Sequence, residues 1–155
     1  MILNCQREVR VSIKSLGKFL GRAQSRLRLS QDSLTVALVS NSAIARWNRS
    51  YRGKNRPTDV LSFPVQSDSP KRPAKRTAKR PKAAPRSGED QYLGDIAIAP
   101  AVARANAARF GRTFETEMRI LILHGILHLM GYDHETDTGQ MERRERLLRR
   151  DLGLA

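Results

Sequence analysis

Two spacings of apolar residues alternate along this chain, and each change of spacing marks an element. Residues 1–5 open with Met1, Ile2 and Leu3 and predict a short edge strand. From about Val9 to Arg26, residues Val11, Ile13, Leu16, Phe19, Leu20 and Ala23 recur mostly at three- and four-residue steps, which is one face of an amphipathic helix. Ser33 to Ser40 is apolar and β-branched and reads as a buried strand. Asn41 or Ser42 then caps a helix through Ala43, Ile44, Trp47 and Tyr51. Pro57, Thr58 and Asp59 interrupt it, Val60 to Phe63 make a third strand ended by Pro64, and Leu93 to Ala99 make a fourth. Three helices follow: Pro100 to Phe110, closed by Gly111; Thr113 to Met130; and about Thr138 to Leu152. The middle one is apolar almost all round, so it is expected to be the central buried helix. On the last helix, Met141, Leu147, Leu148 and Leu152 form the apolar stripe, while Glu142 with Arg146 and Glu145 with Arg149 are placed as ion pairs on the solvent side. The order predicts an α+β fold, a small mixed four-stranded sheet packed by about five helices, within one domain spanning 1–155.

Composition changes this picture at one place. Residues 67–90 carry Pro, Ala, Lys and Arg without any periodic apolar face, so they cannot offset the entropy of ordering and are expected to form a disordered basic insert. Eight Lys and Arg lie between Pro70 and Arg86 with no acid among them, more than half of the chain's net charge of +14. Such a balance favours a polyanionic partner, RNA first, over an ordinary solvated surface. The one cysteine, Cys5, excludes a disulfide framework and a Cys-rich zinc site, and suits a cytoplasmic compartment. The N-terminus lacks the apolar core of a signal peptide, and the longest apolar run, Ile120 to Met130, is too short to cross a bilayer. A soluble protein without a membrane association is expected.

The candidate chemistry is concentrated in HGILHLMGYDH, His124 to His134, which holds all three histidines of the chain. His124 and His128 are four apart and therefore neighbours on one helix face. Gly131 is placed to stop the helix, and His134 follows a turn that can bring it back toward the first two. Two ligands from a helix and a third from the returning chain suit zinc with one coordination position left open. The spacing is also that of the metzincin peptidases, but those carry a glutamate general base directly after the first histidine, and here Gly125 stands there. Asp133 and Glu135 could replace that base, orient a ligand, or simply be loop acids. Arg52 offers a planar fork for phosphate oxygens, or equally a cation favoured at a helix C-terminus. Asp59 could orient a ligand histidine or cap a turn, and Asp95 serves strand-end geometry. Trp47 and Tyr51 could stack on bases, although at helical spacing such residues more often belong to the core.

HGILHLMGYDH, together with NRSYRGKNRPTDVLSFP (Asn48 to Pro64) and YLGDIAIAP (Tyr92 to Pro100), resembles the YbeY family of bacterial endoribonucleases that mature ribosomal RNA. The resemblance implies a zinc site at His124, His128 and His134 and a functional arginine at Arg52. It further implies cleavage of single-stranded RNA, action on the 3′ end of small-subunit ribosomal RNA, contact with the small ribosomal subunit, and a part in ribosome quality control. The insert at 67–90 is longer and more basic than that family leads one to expect. Two other functions compete: a non-catalytic ribosome-assembly factor with a purely structural zinc, and a metzincin-like metallopeptidase. If the insert contacts RNA, deleting residues 70–86 will flatten the dependence of RNA affinity on salt concentration, since each released phosphate contact lowers the slope by about 0.7 for a single strand. An unchanged slope in a salt titration would show that the insert makes no such contact.

Overall fold

A computed structural model describes residues 1–65, 92–133 and 135–154. The predicted alternation is present as β1 (Ile2–Asn4), α1 (Ile13–Arg26), β2 (Leu34–Leu38), α2 (Asn41–Arg52), β3 (Val60–Pro64), β4 (Gly94–Ile98), α3 (Pro100–Phe110), α4 (Phe114–Leu129) and α5 (Gln140–Asp151). The strands form one mixed sheet in the order β1-β2-β4-β3. β1, β2 and β4 run parallel, and β3 pairs antiparallel with β4 at the edge. This is the α+β arrangement read from the sequence. The basic insert predicted at 67–90 lies outside the described residues.

Strand alternation sends Val36, Leu38, Ile96 and Ile98 to one face, where α1 and α4 cover them with Leu16, Phe19, Met118, Ile122 and Ile126. The opposite face carries Ala37, Leu61, Ala97 and Phe63, and α2 packs there through Ile44 and Trp47. α4 is buried along most of its length, as its apolar composition predicts. Thr113 caps it by accepting the N–H of Thr116 at 3.1 Å. Of the two acids in its first turn, Glu115 bonds Ser15 and Arg119, and Glu117 is buried against Arg112.

Two boundaries differ from the sequence reading. α1 begins at Ile13 rather than near Val9, because Gln6 closes the preceding loop: its Nε2 donates to the Val9 carbonyl and its Oε1 accepts the Val9 N–H. Ser12 then accepts the N–H of Ser15 and fixes the start. α2 is capped by Ser40, one residue before the expected Asn41 or Ser42, through the Ala43 N–H at 3.2 Å.

What sets α4 against the sheet is Gly125. A Cβ at that position would lie 2.8 Å from Cγ2 of Ile96 and 2.9 Å from its Cδ1, so only a residue without a side chain permits this approach. The Gly125 carbonyl also accepts the Ser62 hydroxyl of the edge strand at 3.3 Å. Gly125→Ala should therefore overpack the helix–sheet interface and cost about 1–3 kcal/mol. A urea unfolding midpoint equal to that of the wild type would contradict this.

Candidate metal centre and cleft

On α4, Gly125 faces the sheet, and at about 100° per residue His124 and His128 project together to one side of that contact. Both imidazoles are half-buried. Their rings meet edge to face at 4.7 Å between centroids, and their Nε2 atoms lie 3.2 Å apart. α4 ends at Leu129, and Gly131 takes φ +104°, the left-handed backbone that turns the chain away from the helix axis. His134, the predicted third ligand, lies outside the described residues. Among the described residues, no three His, Cys, Asp or Glu side chains gather as a metal site.

The donors present fit a zinc ion. With Zn–N bonds of about 2.0–2.1 Å and tetrahedral angles, two ligand nitrogens stand about 3.3 Å apart, close to the 3.2 Å between the two Nε2 atoms. The tautomer fits as well. Nδ1–H of His124 donates to Oε1 of Glu145 at 2.9 Å, and an ionised carboxylate can only accept, so the ring proton sits on Nδ1 and Nε2 presents a lone pair. Burial pushes the Glu145 carboxyl up, but the hydrogen bond from His124 and the charge and hydrogen bond of Arg149 outweigh it and hold the group below the usual carboxylate range. Arg149 completes the chain, donating to Oε2 of Glu145 at 2.6 Å.

Glu145 is the residue that sequence reading misplaced. The pairing with Arg149 is present, and so is that of Glu142 with Arg146. Yet Glu145 is not on the solvent side: its side chain is 12% exposed, because α5 packs against α4 and aims it at His124. A carboxylate in an i,i+4 charge pair carries no local sign of a long-range histidine partner.

The histidines open on a cleft of about 1240 Å³ that wraps around the β3 edge and reaches the α2 side of the sheet. Arg52, in the last turn of α2, lines the same cleft. Its guanidinium is 3.9 Å from Glu135, in a pair exposed on both sides. Such a pair is worth about 0–1 kcal/mol and leaves the arginine available to a phosphate. Asp59 and Asp95 also line the cleft; Asp59 accepts from Asn106, and Asp95, the second residue of β4, accepts from the Tyr92 hydroxyl. Asp133 is engaged in its own turn, accepting the N–H of Glu135. Trp47 is partly buried against the α2-side core, whereas Tyr51 is 69% exposed and not core; both rings line the cleft. No described helix is long and apolar enough to cross a membrane.

A family model described as "Endoribonuclease YbeY" matches residues 3–153. Relatives bearing that name include one from Sulfurovum, 36% identical over 98% of this chain and 90% of its own length, and one from Koribacter versatilis, 38% identical over 99% and 86%. A third, from Desulfitobacterium hafniense, is 41% identical over 78% of this chain and 72% of its own length. Among solved structures, a solution structure of a Thermotoga maritima protein is similar with a TM-score of 0.57 and 27% identity, over 98% of this chain and 89% of that one.

If Glu145 orients a ligand histidine, Glu145→Gln will weaken zinc affinity by about 10- to 100-fold while the chain stays folded. Competition against a chromophoric chelator measures this directly, and an unchanged affinity would remove Glu145 from the centre.

Proposed function

The chain belongs to the YbeY family of endoribonucleases, and from that premise we propose that it hydrolyses single-stranded RNA with a zinc ion held by His124, His128 and His134. The observation that carries the metal is the pair of Nε2 atoms at 3.2 Å, with His124 anchored from behind by Glu145. When bound, the ion supplies Lewis acidity and a nucleophilic water at neutral pH.

The protein's own residues supply the rest. Arg52 receives the phosphate: its guanidinium exchanges a weak, exposed contact with Glu135 for a bidentate one to phosphate oxygens and stabilises the charge that develops there. Glu145, itself neutralised by Arg149, keeps His124 in one orientation and one tautomer. The open cleft beside the histidines supports an enzyme over an assembly factor with a structural zinc, since a structural site is closed by four protein ligands and needs no adjoining groove. The 3′ end of small-subunit ribosomal RNA is the substrate implied by the resemblance, and the basic composition suits a ribosomal partner.

Two variants separate the roles. His128→Ala should lose both zinc and RNA cleavage. Arg52→Ala should retain zinc, measured by elemental analysis, and lose about 10²–10³-fold in kcat on an RNA substrate, the range for removing one charge-stabilising donor. Full cleavage by His128→Ala would sink the metal mechanism, and full cleavage by Arg52→Ala would sink the arginine's role alone.

A further inference from the structure

Three aromatic rings meet in the cleft shared with His124, His128 and Arg52. Trp47 and Tyr51, one turn apart on α2, flank Phe63 of β3 with centroids 6.1 and 5.1 Å away, both edge to face. An edge-to-face contact covers one face of one ring in each pair and leaves the other ring's faces outside that contact. Tyr51 is held by Phe63 rather than loose, yet it remains 69% exposed. Nothing in the metal chemistry uses these rings.

The cation that lines the cleft with them, Arg52, directly follows Tyr51 in the chain and selects the occupant. Residues 41–58 carry Arg46, Arg49, Arg52, Lys54 and Arg56 and no acid. Asn48 fastens part of this basic stretch by donating from Nδ2 to the Arg56 carbonyl at 2.9 Å. An exposed tyrosine ring followed directly by a guanidinium in the same cleft matches a nucleic acid strand, whose base stacks while its phosphate pairs with the arginine. An apolar peptide would satisfy the rings and offer Arg52 nothing better than its weak pair with Glu135. A duplex keeps its bases stacked on one another, so only an unpaired strand can use the rings.

We propose that Trp47, Phe63 and Tyr51 form a ledge on which an unpaired base of the RNA rests, beside the phosphodiester that is cut at the histidines. The ledge rests on the endoribonuclease reading and deepens it: Tyr51 positions the strand and selects unpaired RNA, while Arg52, the next residue, takes the phosphate.

Trp47 is the chain's one tryptophan, so its fluorescence reports the ledge directly. Mixing metal-loaded wild-type protein with a short unstructured oligoribonucleotide in a stopped-flow cell, before turnover, should quench it. The same strand with abasic nucleotides should not. Tyr51→Ala should raise KM by roughly five- to 150-fold, the loss of one stacked base, with a smaller change in kcat and unchanged zinc content. Tyr51→Phe, which keeps the ring, should restore KM. Equal quenching by the abasic strand overturns the ledge. An unaltered KM in Tyr51→Ala, with folding confirmed by its thermal midpoint, also overturns it and leaves the rings to a protein partner. Failure of the wild type to cleave RNA would strike the endoribonuclease reading itself, and the fluorescence comparison would still decide the ledge.

Discussion

The approach of α4 to β4 at Gly125 and Ile96 fixes everything that the site requires. A helix is a rigid ruler: once Gly125 is pressed onto the strand, the direction of every other side chain on α4 follows from about 100° per residue. His124 and His128 then emerge on the same side, past the β3 edge, while Ile122, Ile126 and Leu129 stay in the core. The energy that holds this geometry is the burial of apolar surface on a helix that has apolar residues nearly all round. In the second half of the helix, His124 and His128 are the positions where that burial is incomplete. Placing ligands on such an element gives them the stiffness of the core at the edge of the solvent.

The second dependence runs from the C-terminal helix. Glu145 accepts from His124 through one oxygen and from Arg149 through the other, so a nearly buried carboxylate has a hydrogen-bond donor on both sides. Stability alone does not require this, since apolar residues of similar volume would serve a helix–helix contact at least as well. What apolar residues could not do is specify which nitrogen of His124 bears the proton. α5 thereby acts on the site without touching the cleft floor, and its packing through Met141 and Leu148 belongs to the ligand geometry as much as to the fold.

Much of this was legible in the chain. Local signals carried the strands, the five helices, the Thr113 cap and the turn at Gly131, because each depends on neighbours within a few residues. The spacing of His124 and His128 needed only a helix to become a pair. The start of α1 was missed because it is decided by the Gln6 side chain closing its own loop, which overrides the apolar period at Val9 and Val11. Glu145 and Tyr51 were missed for a different reason. Helical periodicity tells which residues share a face, not what lies opposite, and each was assigned its environment by its own helix alone. Packing reversed both: α5 buried the residue expected in solvent, and the end of α2, reaching the cleft, exposed the one expected in the core.

The same packing bears on why a histidine pattern shared with peptidases need not bring their chemistry. The peptidase base is a glutamate directly after the first ligand, and here that position is not simply empty of a carboxylate. It is the contact point with Ile96, where even a Cβ would stand at 2.8 Å. A glutamate there would have to push α4 off the strand, and with it the two histidines whose nitrogens now face one another. Its side chain would also start toward the sheet rather than toward the cleft. The frame that aligns the two histidines therefore excludes the peptidase base, and the cleft instead offers the Arg52 guanidinium at the end of α2, in a lining that also holds Asp59, Asp95, Asp133 and Glu135. A guanidinium stabilises negative charge on a phosphate far better than it serves an amide, whose developing oxyanion needs short, fixed donors. The preference for phosphodiesters thus follows from a helix–sheet distance together with the charge placed on α2.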